Sequence, residues 1–216
     1  MLDFYPFFSM ENKMLRPRGV IVLVFWFAVG APVLADPGWQ AAEGSGCLVW
    51  NAEPSAGSRV TWSGPCKDRR ANGQGELVWR WDGNTMRYVG DMRDGKSHGR
   101  GVVTFPNGNR YEGDWVDDKR TGRGVVTFPN GGRYEGDWVD DKRTGHGVYT
   151  WANGERYEGD FVDGKPTTGV VTWANGDRYK GDFVDDKRAG RGKMTKAATG
   201  TRGSGAAVSP TAKARR

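Results

Sequence analysis

Through the middle of this chain apolar and polar positions alternate, and the alternating segments come in pairs. In Tyr111–Val116, Tyr111, Gly113 and Trp115 share one parity while Glu112 and Asp114 take the other. Gly122, Gly124, Val126 and Phe128 repeat the pattern a few residues later. A period of two describes strands with one buried face. The polar tetrapeptide Asp117-Asp118-Lys119-Arg120 between them reads as a hairpin loop. Pairing Val116 with Thr121 then sets Trp115 opposite Gly122, Gly113 opposite Gly124 and Tyr111 opposite Val126. A ring facing a residue without a side chain can lie down over the backbone, burying roughly 150–250 Å². The expected core is therefore Tyr88, Tyr111, Trp115, Tyr134, Trp138, Tyr157, Phe161, Tyr179 and Phe183. On the polar face the same register sets Asp91 against Arg100, Asp114 against Arg123, Asp137 against His146 and Asp182 against Arg191. Such cross-strand pairs contribute about 0.2–1 kcal/mol each, so they define register more than stability.

The hairpin recurs. Residues 111–133 and 134–156 are identical at 18 of 23 positions, and further copies start at Tyr88, Tyr157 and Tyr179, with a degenerate one at Trp62. A fixed period of this length marks an array in which each unit needs its neighbours. The copies must be joined without flipping the aromatic face. A three-residue loop, Pro129-Asn130-Gly131, does this, with Pro set for a type I turn and Gly at the left-handed position. The fold class expected is all-β: an antiparallel β-hairpin array of about six 23-residue repeats over residues 62–195. At about 4.8 Å per strand it would be roughly 55–60 Å long. The fourth full copy, through Asp163-Gly164-Lys165-Pro166-Thr167-Thr168-Gly169, is one residue short and should carry a bend or bulge.

The ends differ from the array. Arg16 and Arg18 precede an apolar run from Val20 to Val29 and then Val33-Leu34-Ala35, the order of a secretory leader. Residues 1–35 are expected to be that leader, with 1–13 a candidate mis-set start, and export to a periplasm or medium follows from cleavage near Ala35. An uncleaved inner-membrane anchor at 19–34 is the alternative. Residues 36–61 should form a capping strand region. Cys47 and Cys66 are the only cysteines, and an exported chain can oxidise them to a disulfide. Residues 196–216, with no acidic and no aromatic residue, are expected to be a disordered basic tail.

Charge narrows the function. The net +6 belongs to the C-terminal tail: residues 88–192 carry 17 basic and 18 acidic side chains, and 193–216 carry 6 basic and none acidic. A nucleic-acid binder should show its basic stripe on the folded body, so none is expected as a partner. Near-identical repeats also offer the same surface several times over, where an active site needs unlike groups converging. His98 and His146 have no second ligand at metal spacing. The doublets Asp117-Asp118, Asp140-Asp141 and Asp185-Asp186 are each followed by Lys-Arg and lack calcium-loop spacing. Gly73-Gln74-Gly75 precedes no helix that could hold phosphate. No cofactor and no catalytic residue is expected. Trp79 and Trp81 share a parity in the irregular copy, either as a cap on the first repeat or as an exposed aromatic patch for glycan or partner contact.

The string Tyr-Glu-Gly-Asp-Trp, then Gly-x-Gly-x-x-x-Phe/Trp-x-Asn-Gly at a 23-residue period, resembles the MORN (membrane occupation and recognition nexus) repeat. It covers residues 88–192 closely and 62–87 loosely, with Trp62-Ser63-Gly64 standing for Tyr-Glu-Gly. The resemblance implies β-hairpin arrays that act as attachment modules, with membrane association for some members, self-association for others and no catalysis in the repeat. The expectation is an exported, non-enzymatic scaffold of a bacterial envelope, binding a protein partner or itself through edge-strand pairing. An anionic lipid surface bound through repeats and tail, and a cell-wall glycan bound through exposed Trp, are the rivals.

Overall fold

A computed structural model describes residues 38–197; the expected leader and residues 198–216 of the basic tail lie outside the described residues. Five short strands come first: β1 (Gly38–Ala41), β2 (Leu48–Asn51), β3 (Arg59–Trp62), β4 (Cys66–Lys67) and β5 (Arg70–Ala71). β6 (Gly73–Trp81) leads into five hairpins. These are β7 (Asn84–Arg93) with β8 (Lys96–Thr104), β9 (Arg110–Val116) with β10 (Lys119–Thr127), and β11 (Arg133–Val139) with β12 (Lys142–Thr150). The last two are β13 (Arg156–Val162) with β14 (Lys165–Thr172) and β15 (Arg178–Val184) with β16 (Lys187–Thr195). β3 and β6 through β16 form a single antiparallel meander of twelve strands, which does not close into a barrel.

The hairpin turns are tighter than the sequence reading expects. Val116 pairs with Lys119, so only Asp117 and Asp118 form the loop, with left-handed φ of 50° and 68°. Two left-handed residues make the turn whose twist matches that of the strands, and Asp tolerates that region better than most side chains. The register then slips between Thr121 and Gly124 before Gly124 meets Gly113 and Val126 meets Tyr111. Gly122 and Arg123 are thus a bulge, with Gly122 at φ 56° beneath the Asp114 carboxylate. Trp115 lies opposite Arg120, not Gly122, within its own hairpin. In the short fourth copy only Thr167 is extra, because the deleted residue comes out of the bulge. The loops joining repeats have the expected form: Gly131 N–H donates to Phe128 O at 2.9 Å, with Gly131 at φ 88°.

The bulge overturns the expected polar pairs. Asp114 faces Thr121 in its own hairpin, and its arginine opposite is Arg100 of the preceding repeat. Likewise Arg123 faces Asp137, and His146 faces Asp160. Asp91 faces Gln74 across β6, and Asp182 faces Ala189 within its hairpin and Thr168 across β14. Two additional residues in the second strand carry the basic side chain past its own aspartate and bring it level with that of the next copy. These contacts therefore link repeats, with Arg123–Asp137 at 3.8 Å and His146–Asp160 at 3.6 Å.

The aromatic face forms the core. Tyr111 lies over Gly113 and Gly124, where an added Cβ would overlap its ring, and its hydroxyl donates to Asp114 O at 3.1 Å. The same bond occurs at Tyr88, Tyr134, Tyr157 and Tyr179. Trp115 stands edge-on between Tyr111 at 5.2 Å and Tyr88 at 5.6 Å. Trp138, Phe161 and Phe183 repeat that bridge, giving one continuous aromatic row through Tyr179. Each such contact contributes about 0.5–1.5 kcal/mol beyond the area it buries. Arg120 closes the row from above, its guanidinium 4.5 Å from the Trp138 ring centre.

The N-terminal end is capped by a second sheet, not a strand. β1, β2, β5 and β4 pair in that order, so residues 66–71, from inside the degenerate first copy, complete the cap. β3 instead joins the long sheet, where Trp62 lies over Gly64 and Gly75 as each tyrosine does over its glycines. A disulfide joins Cys47 to Cys66. Trp79 is buried and Trp81 half-buried against the core, which removes the exposed aromatic patch considered for glycan.

Two outcomes test this packing. Gly124→Ala drives a methyl into the Tyr111 ring and should cost about 2 kcal/mol. Gly131→Ala, facing open space at φ 88°, should cost about 1 kcal/mol from its backbone alone; urea titration of both variants checks the order. Replacing Cys47 and Cys66 together by Ala should cost roughly 3 kcal/mol. Amide exchange should then rise in β1, β2, β4 and β5 before β9 to β16, and uniform loss would show that the bridge does not act locally.

Candidate functional site

Strand alternation brings one column of the repeat into each row of the polar face. In the first row Arg110, Arg133 and Arg156 each bond the glutamate two residues on: Glu112 and Glu135, both at 2.7 Å, and Glu158. Arg156 holds the Glu158 carboxyl below the usual carboxylate range. In the next row valine alternates with those glutamates, as Val102 with Glu112, Val125 with Glu135 and Val148 with Glu158. The third row holds the alternating Arg/His and Asp described above. The surface is self-neutralising from β8 to β13.

That balance ends at the last hairpin. Lys180 stands where the three preceding copies have Glu112, Glu135 and Glu158, so Arg178 has lysine in place of its usual partner. Lys193 stands where they have valine, directly opposite Lys180. Arg191 occupies the column of Arg123, but no strand follows β16 among the described residues to bring an aspartate across. Arg178, Lys180, Arg191 and Lys193 therefore line one open trough of about 640 Å³ with Thr168, Val170 and Thr195. The chain leaving β16 is held back by Asp177, which accepts from Ala197 N–H at 2.8 Å and sits 3.5 Å from Lys196 Nζ. That bond depresses the Asp177 pKa.

The two edges of the sheet are unlike. Beside β3, Glu43 N–H donates to Val60 O at 2.7 Å, and Glu43 bridges Thr61, so the cap meets that edge. Among the described residues β16 is paired on one side only. Within the array, the second turn aspartate locks successive hairpins: Asp118 accepts from Ser97 N–H at 2.6 Å, and Asp141 accepts from Arg120 N–H at 3.1 Å and Nε at 2.8 Å. Burial raises the Asp118 pKa. At the last step the acceptor is Asp186 but the residue beneath is Pro166, which has no N–H to give. Among the described residues Asp186 Oδ1 is buried without a hydrogen bond, and desolvation raises its pKa.

What the comparisons add is the identity of the repeat. The MORN repeat family model matches residues 88–110, 111–133, 134–156, 157–167 and 179–198. MORN repeats are thus found across residues 88–198, with residues 168–178 between the last two matched segments. No curated protein matches the chain. MORN repeats are generally non-enzymatic and suggest a scaffold or binding role.

Within this MORN array the tyrosine and Trp/Phe positions form the core row, while the polar pairs sit one repeat further along. The sequence reading does not single out Lys180, counts Lys193 only with the basic tail, and takes the turn aspartates as polar loops without their cross-repeat bond. The first two are visible when the copies are compared column by column; the turn bond is not, because it joins residues 21 apart whose facing depends on the bulge. Asp141→Asn removes a charge-assisted bond and should cost about 1 kcal/mol. Asp186→Asn should instead stabilise by up to about 1 kcal/mol at neutral pH. Because the folded pKa of Asp186 exceeds its unfolded value, its penalty appears as pH rises through the interval between the two and is relieved below it. Urea midpoints against pH should therefore flatten in Asp186→Asn, and an unchanged profile would refute the assignment.

Proposed function

We propose that this chain is an exported, non-enzymatic scaffold of a bacterial envelope that binds a protein partner by adding the partner's strand to β16. The observation that carries this reading is the asymmetry of the sheet: one edge meets a disulfide-tied cap, and the other presents a full-length strand that, among the described residues, is paired on one side. An unpaired strand offers its N–H and C=O groups to another chain. The leader-like order of residues 16–35 and the disulfide support export. Self-association through the same strand is the nearest variant of this reading.

An anionic surface is the second reading, favoured by Arg178, Lys180, Arg191 and Lys193 at the end that carries the basic tail. Each basic residue near a charged membrane adds about 1 kcal/mol. Size-exclusion chromatography with light scattering on residues 36–216, with and without 196–216, separates the possibilities. The scaffold reading expects a defined complex with an envelope protein, or a dimer, that survives loss of the tail. A strict monomer that retains nothing from envelope extract refutes it, and liposome sedimentation lost with the tail would move the function to the membrane.

A further inference from the structure

We infer that the partner segment at β16 is an acidic extended strand that reproduces the first strand of the missing next repeat. This rests on the strand-addition reading above and names the chemistry of its partner. Interior strands show what each position of β16 asks for. Across from β10, β11 places Trp138 opposite Gly122, Asp137 opposite Arg123, Gly136 opposite Gly124, Glu135 opposite Val125 and Tyr134 opposite Val126. The same columns on β16 are Gly190, Arg191, Gly192, Lys193 and Met194. An incoming strand therefore meets, in turn, a site for an aromatic ring, a cation, a bare glycine, a second cation and an apolar residue. Lys193 in the valine column, and Lys180 beside it, make the demand for acid stronger here than at any interior strand.

The aromatic row agrees. Tyr111 is flanked by its own Trp115 and by Trp138 of the following repeat. Tyr179 has Phe183 on one side and, among the described residues, no following repeat on the other. An aromatic residue in the added strand would extend the row.

The chain itself is a poor source for that strand. Residues 187–216 carry no acidic side chain, so that segment can only add positive charge to the trough. A second copy pairing antiparallel through β16 would set Arg191 or Lys193 against another cation (Arg191, Lys193 or Lys187) in the well-overlapped registers. Like charges directly opposite are destabilising. The partner is a different chain with the order aromatic, acid, small residue, acid, aromatic.

The test uses the full chain and the labelled heptapeptide Arg-Tyr-Glu-Gly-Asp-Trp-Val, the sequence of β9 and β11. Fluorescence anisotropy should show saturable binding that Arg191→Glu/Lys193→Glu weakens at least tenfold. A peptide with lysine for both acids should ignore the wild type and bind the double variant. Both residues are exposed, and an unchanged melting profile shows that the variant is folded. Equal binding of the two peptides by the wild type, or less than threefold loss in the variant, overturns the acidic-strand assignment. Backbone N-methylation of the peptide in its two alternate phases isolates strand addition. One phase should abolish binding, and if neither does, the strand-addition reading itself fails. Charge-dependent sedimentation with phosphatidylglycerol vesicles and no peptide binding would make the trough a lipid contact and sink the inference.

Discussion

A tyrosine ring lying flat on two glycines is the contact from which the rest of this structure follows. At Tyr111 the ring covers Gly113 on its own strand and Gly124 on the next, and its hydroxyl reaches Asp114 O. Tyrosine supplies both the apolar plate and the polar tip, and in the first copy Trp62 does the same over Gly64 and Gly75, its indole N–H donating to Pro65 O. The phenol is buried enough that desolvation raises its pKa, so it serves as a neutral donor. Because the glycines leave room for the ring, a single sheet can carry a core without a second layer. Because the ring lies down, the Trp or Phe four residues on stands against it and against the tyrosine before it. Each repeat thereby completes its neighbour's packing.

The hairpin geometry serves that contact. The two-residue turn and the glycine bulge together offset the second strand by two residues, returning Gly124 to its place opposite Gly113. The same offset sends Arg123 to the next repeat's aspartate and stacks the turn aspartates from hairpin to hairpin. Polar contacts thus run along the array as the aromatic ones do, and both kinds of coupling point towards the C-terminus. The array is a one-dimensional object whose unit is incomplete alone. Its two ends differ: a cap at the first, and at the last a strand whose partner positions are unfilled among the described residues.

Variation among the copies carries meaning in such an array, because the background is nearly constant. Gly164 and Pro166 alter the turn lock in neighbouring steps: the first removes a carboxylate, the second the N–H that Asp186 would use. Lys180 and Lys193 change the charge of the terminal face without touching the core. Substitutions at this core column stay apolar: Phe161 and Phe183 stand where Trp115 does, and Met92 takes the place in the first full copy.

Much of this protein was settled by sequence alone. Period-two alternation defined the strands, the 23-residue recurrence defined the array, and Asn-Gly loops defined the connections, because each is a local property of a few adjacent residues. The pairing of Tyr111 with Val126 and of Gly113 with Gly124 also follows, since parity leaves few choices. Which aspartate meets which arginine was decided only in three dimensions. That depends on whether a six-residue stretch spends its slack in the turn or in a bulge, and the fit of the ring to its glycines makes that choice. The cap is of the same kind: residues 66–71 lie inside the first repeat by sequence, yet the Cys47–Cys66 link and the parallel contact of β2 with β5 place them in another sheet. Long-range partners come from the packing of the whole array, whereas strand parity is written into each neighbouring pair of residues.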